Sequence, residues 1–145
     1  MPSAERTVVI DRPIGNVFAF VANGENAQQW RSGVLEISKK SGDGQGAIYR
    51  QLVAGPGGRK IDADYEVTEY SPPTHLAFRA IAGPVRPVGS YDLKDDSGRT
   101  SLTFRLSAEI GGWKKWLMSG QVQKTMDAEM AALDKLKSVL EAAPA

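Results

Sequence analysis

The chain has no cysteine and a single histidine among its 145 residues. The first lack excludes disulfides, thiolate metal sites and cysteine nucleophiles together, and it fits a reducing compartment. The second leaves the ordinary zinc ligand sets unfilled, and no carboxylates are spaced as in a calcium loop, so neither metal nor cofactor is expected. His75 follows Pro72-Pro73-Thr74 in a segment that reads as a strand-connecting surface turn, and no serine stands in a nucleophile-elbow pattern, so no triad is expected. An excess of one charge is also lacking: 18 basic residues face 17 acidic ones, for a net charge of +1. Binding to a phosphate backbone usually needs a strong basic excess, so nucleic acid is not an expected partner. There is no run of about 18 apolar residues and no apolar signal core after Met1, which predicts a cytoplasmic protein without an integral membrane segment. The length suits one domain with one sizeable core, residues 1–145, and no signal bears on oligomeric state.

What is present is a change of period along the chain. Residues 5–11 are short and rich in β-branched side chains, as in a strand. Asp11 then offers a helix cap, Pro13 suits a first turn, and Ile14, Val17, Phe18 and Val21 recur at helical spacing. Asn23-Gly24 stops that helix, and residues 25–30 predict a second short one carrying Ala27 and Trp30 on one side. From Gly33 onward the period becomes two. Strands are predicted over 33–41, 46–54, 59–70, 74–82, 87–94 and 99–110, with short links that imply antiparallel neighbours. The glycine-rich links at 42–46 and 55–58 join strand to strand and so read as hairpin turns, because phosphate-cradling loops lead into a helix.

Alternation assigns faces. Ile61, Ala63, Tyr65 and Val67 share one side, as do Leu76, Phe78 and Ala80, and Leu102, Phe104, Leu106 and Ala108. Asp62, Asp64, Glu66, Arg79 and Arg105 fall on the other, solvent side. For residues 46–54 the period leaves two choices: Ile48, Arg50 and Leu52 inward, or Tyr49, Gln51 and Val53 inward. The rest, roughly Trp113 to Ala142, is Pro-free until its end, and Met126, Met130, Leu133, Leu136 and Leu140 mark the apolar stripe of one long helix. At about 1.5 Å per residue it reaches roughly 40 Å, enough to lie across the whole sheet.

A one-sided sheet must cover its apolar face, and this helix is the element of matching length. One helix does not fill a wide concave surface, so a cavity is expected between sheet, short helices and long helix. The predicted class is α+β: a curved, seven-stranded antiparallel sheet gripping a C-terminal helix, with two short helices between the first two strands.

Three stretches carry a resemblance: Ile10-Asp11-Arg12-Pro13-Ile14 with Val17 to Val21 and Asn26 to Trp30; Glu66 to Pro73 with Leu76 to Arg79; and Gly89 to Leu93 with Thr100 to Thr103. Together they resemble the START-like superfamily labelled SRPBCC, in its polyketide cyclase/dehydrase-like branch. The likeness implies the helix-grip fold. It does not imply one reaction, since that superfamily holds enzymes, carriers, receptors and binding modules.

The residues expected to touch a bound molecule are Tyr65, Phe78, Tyr91 and Phe104 on the sheet, with Tyr49 if its strand has the matching phase, Trp30 on the second short helix, and Leu117 and Met126 on the long one. Arg50 joins them as a binder of carboxylate or enolate if the same strand has the opposite phase. The leading expectation is a binder of a small hydrophobic molecule, a lipid or a polyketide-like aromatic. A cyclase or dehydratase using Tyr65, Tyr91 or Arg50 is the alternative. A third reading is a protein- or membrane-interaction module using the exposed face of the sheet or Trp113 to Met118 around Lys114-Lys115. Met118 and Val122 extend the methionine stripe, and Gly120 inside the helix offers room.

Overall fold

Strand β1 (Ser3–Ile10) pairs antiparallel along its full length with β8 (Arg99–Ser107) in the computed structural model, which describes residues 3–55, 59–83, 86–108 and 123–142. Helix α1 (Ile14–Ala22) follows and buries Val17, Phe18 and Val21, the spacing its sequence predicts. Its cap differs from expectation. Pro13, with φ −60° and ψ 147°, holds the N-cap position, and no side chain caps the helix. Asp11 lies two residues too early, and its backbone N–H donates to Glu141 at 2.7 Å instead. A 3-10 helix, Gly24–Gln29, comes next; the Asn23 side chain accepts the N–H of Glu25 at 3.1 Å and so starts it.

The remaining strands are β2 (Val34–Ser41), β3 (Ile48–Ala54), β4 (Lys60–Asp62), β5 (Tyr65–Ser71), β6 (His75–Ala80) and β7 (Val88–Asp96). Seven form a curled antiparallel path, β1-β8-β7-β6-β5-β3-β2, and β4 pairs with β3 beside it. The single strand predicted over 59–70 is therefore interrupted, and the reason is local. β4 and β5 keep one register against β3, with Leu52 opposite Asp62 and Tyr49 opposite Tyr65. Between them two side chains replace a ladder bond. The N–H of Gln51 donates to the Asp64 carboxylate at 3.0 Å, and the Ala63 carbonyl accepts from Gln51 Nε2 at 2.9 Å. Asp64, expected in solvent, is thus tied into the sheet.

The C-terminal helix, α2, is helical over 123–131 and again over Leu133–Ala142, with a turn at Ala132. Bonds from Ala132 N–H to the Ala128 carbonyl (3.1 Å) and from Leu136 N–H to the Ala132 carbonyl (3.0 Å) carry the ladder across the turn, so the two arms form one bent helix. Met126, Met130, Leu133, Leu136 and Leu140 are all buried, as their spacing predicts. Polar ties hold the second arm to β1: Arg6 pairs with Asp134 at 2.6 Å, and Lys137 donates to the Val9 carbonyl at 2.7 Å. The predicted helix start at Trp113, with Trp116, Leu117, Met118, Gly120 and Val122, lies outside the described residues. This is the helix-grip architecture expected from the sequence.

Candidate functional site

The concave face of the sheet and α2 do not close completely on each other. Between them, under the 3-10 helix, lies a cavity of about 260 Å³. Its wall is mostly apolar: Val21 and Ala27 from the helical pair, Val53, Ile61 and Val67 from the sheet, and Met126 from α2 contribute.

The sheet's contribution is organised by one row of rings. Tyr49, Tyr65, Phe78, Tyr91 and Phe104 sit on the neighbouring strands β3, β5, β6, β7 and β8. Tyr49 and Tyr65 are cross-strand partners and stack at 5.1 Å between centroids; Tyr91 and Phe104 do the same at 4.5 Å. Phe78 bridges the two stacks, 5.5 Å from Tyr65 and 6.1 Å from Tyr91. Such offset and tilted arrangements suit the ring quadrupoles. Two glycines make the row possible. A Cβ on Gly24 would stand 2.8 Å from the Tyr49 ring, and one on Gly89 would stand 2.4 Å from the Phe78 ring.

Into this apolar wall the chain sets a charged pair. Arg31 Nε donates to Glu129 Oε2 at 2.7 Å and Nη2 donates to Oε1 at 3.1 Å, joining the segment after the 3-10 helix to α2. The third contact of the fork, from Nη1 to Gln51 Oε1 at 3.1 Å, reaches the sheet. The side chains of the pair are only 17% and 16% exposed. Burial works against the Arg31 charge, but the neighbouring Glu129 carboxylate outweighs it and holds the guanidinium pKa above its usual value. The phenols of Tyr65 and Tyr91 are raised by burial, with the Arg31 charge offsetting only part of the effect. Both stay protonated at neutral pH.

Of the residues expected here, Tyr65, Phe78, Tyr91, Phe104, Trp30 and Met126 line the cavity. Tyr49 is buried one layer outside it, against Gly24, its hydroxyl directed at the Ala22 carbonyl at 3.5 Å. Leu117 lies outside the described residues. Arg50 is a correction: β3 has the phase that turns Tyr49, Gln51 and Val53 inward, so Arg50 is exposed on the opposite face, with Glu36 and Leu52. The cavity's guanidinium is Arg31.

Arg31, Gln51 and Glu129 were not among the residues expected at the site. A signal for Glu129 exists: it stands three residues after Met126 and four before Leu133, hence at the edge of the buried stripe. Arg31 is set by a loop, and no period reaches it.

On the outer face, His75 is the first residue of β6 and is clamped between two carboxylates, where a free surface turn residue was expected. Its Nε2 lies 2.6 Å from Glu69 and its Nδ1 2.7 Å from Asp92, which also accepts from Arg105 at 2.8 Å. These hydrogen bonds, first Glu69 and then Asp92, raise the histidine pKa. Among the described residues no group of histidine and carboxylate side chains is arranged to hold a metal ion, and no helix is long and apolar enough to cross a membrane.

No curated protein matches the sequence. Solved structures match the fold. TTHA0849 from Thermus thermophilus superposes with a TM-score of 0.83 at 18% identity, over 99% of this chain and 100% of its own. The Zhui aromatase/cyclase from Streptomyces sp. R1128 gives 0.72 at 18% identity, over 96% and 93%. The di-domain aromatase/cyclase StfQ of the steffimycin pathway gives 0.78 at 11% identity, over 96% of this chain and 50% of StfQ. At such identities these likenesses establish architecture. The sequence profile of the family described as polyketide cyclase / dehydrase and lipid transport matches residues 1–141, and the chain therefore belongs to that START-like, SRPBCC-type family.

Proposed function

We propose that the protein binds a small, largely apolar molecule in the cavity between its sheet and α2. The observation that carries this reading is the cavity itself: about 260 Å³ walled by apolar and aromatic side chains, with few polar groups. A dry apolar cavity of ~150 Å³ accepts one benzene ring, so this one has room for a molecule of about two fused rings. Burying such a surface supplies the affinity, at about 25 cal/mol per Å² of apolar area. Membership in a family named for both lipid transport and polyketide cyclisation supports the same ligand class.

Calorimetric titration with naphthalene tests it. One saturable site is expected in the native protein, and it is lost in Val53→Trp, which fills the space with an indole. Absence of saturable binding, or equal binding by Val53→Trp, overturns the reading.

A cyclase or dehydratase acting in the same cavity is the second reading. It is supported by the two protonated phenols on the wall and by the likeness to the Zhui aromatase/cyclase. There the cavity would hold a reactive chain folded, and Tyr65 or Tyr91 would donate a hydrogen bond to an oxygen gaining charge as an enolate forms. Turnover unchanged by Tyr65→Phe and Tyr91→Phe on a genuine substrate removes that role.

A further inference from the structure

We infer that the cavity selects uncharged molecules bearing a hydrogen-bond-accepting oxygen, such as a ketone, and rejects carboxylates, because Arg31 is already neutralised by Glu129 while the hydroxyls of Tyr65 and Tyr91 are left free to donate. The inference rests on the cavity being the binding site.

Three observations support it. First, the charges cancel. Of the charged residues on the described wall, Asp62 is exposed at the rim, and the other two are Arg31 and Glu129 in their bidentate pair. A carboxylate entering this space would either face Glu129 or displace it from Arg31, and each leaves an uncompensated negative charge out of water.

Second, three of the five N–H groups of Arg31 are already engaged. Nε and Nη2 hold Glu129, and Nη1 holds Gln51. Gln51 is 6% exposed and is itself fixed by its bond to the Ala63 carbonyl. The guanidinium is built into the wall by groups from the sheet and from α2.

Third, the donors that remain are neutral. Tyr91 is only 6% exposed, Tyr65 is half-buried with its hydroxyl against Gly24, and among the described residues neither hydroxyl has a hydrogen-bond partner. Both hydroxyls open onto the cavity, where water can solvate them, and a ligand oxygen accepting from either takes the place of that water. A phenol kept protonated by burial donates to a carbonyl oxygen and brings no charge into the cavity.

Three probes with one ring system test the inference: naphthalene, 2-acetonaphthone and 2-naphthoate, titrated at pH 7 and followed by calorimetry. The ketone is expected to bind at least about tenfold more tightly than the carboxylate. Replacing both phenols, Tyr65→Phe with Tyr91→Phe, lowers the affinity for 2-acetonaphthone relative to naphthalene about fivefold, the scale of one hydrogen bond. Glu129→Gln leaves Arg31 charged and unneutralised, so the affinity for 2-naphthoate relative to naphthalene rises about tenfold. The wild-type comparison needs no substitution and stands even where a variant fails to fold. Naphthalene binding with equal affinity for ketone and carboxylate overturns the inference and leaves the cavity reading intact; no binding of any of the three removes both.

Discussion

The ring of Phe78 lies over Gly89, its cross-strand partner on β7, so closely that a Cβ there would stand 2.4 Å from Phe78 Cζ and 2.8 Å from Leu106 Cδ2. This approach lets Phe78 reach both Tyr91 and Phe104 and complete the row of rings behind the cavity. Gly89 does not have positive φ, so the cost of a side chain is steric alone. Gly89→Ala is expected to destabilise the fold by about 1–3 kcal/mol, the usual range for overpacking. Urea denaturation measures it, and Gly89→Ala with Phe78→Leu should recover part of the loss; a neutral single substitution contradicts the packing.

The Arg31–Glu129 pair makes a different kind of prediction. Removing one partner strands the other charge with little water around it, so Arg31→Met is expected to cost about 3–5 kcal/mol. Replacing both, Arg31→Met with Glu129→Leu, should restore most of that stability, because a well-packed apolar pair has no desolvation to offset. A denaturant double-mutant cycle gives the coupling. Additive losses would mean that the two groups do not act as a pair.

Arg50 serves as the contrast. Exposed on the far face of β3, it has no part in the cavity. Arg50→Ala is expected to shift stability by no more than about 0.5 kcal/mol. Naphthalene affinity should stay within about twofold of the native value. A larger change in either quantity would mean that this face of β3 is coupled to the cavity.

The outer-face histidine links stability to pH. The pKa of His75 is raised in the fold by Glu69 and Asp92, so its stabilisation is fully present below the unfolded value near 6.5 and fades as pH rises through the higher folded value. Arg105 and Glu5 continue the network. The difference in Tm between the native protein and His75→Gln is therefore expected to be larger at pH 5.5 than at pH 8. An equal or reversed difference removes the clamp as a contributor.

Much of the fold was legible because it is written in local periods. Leu102, Phe104, Leu106 and Ala108 alternate with polar neighbours and are all buried, while Met126, Met130, Leu133, Leu136 and Leu140 follow helical spacing and are buried as well. Four rings of the row, Tyr65, Phe78, Tyr91 and Phe104, were legible for the same reason, since each sits at an inward position of its own strand. The interruption between β4 and β5 was not, because it comes from side chains of Gln51 and Asp64 that meet only once β3 is alongside.

The sequence by itself determined which side chains turn away from water, and hence that a one-sided sheet and a striped helix must meet. Whether Tyr49 or Arg50 points inward was decided only by tertiary structure, since either phase of β3 satisfies the alternation. So was the meeting of Arg31 with Glu129, separated by 98 positions along the chain. A charged pair of that kind follows no period: its partners are chosen by where a loop and a helix happen to converge over the sheet, and only the packed chain specifies that.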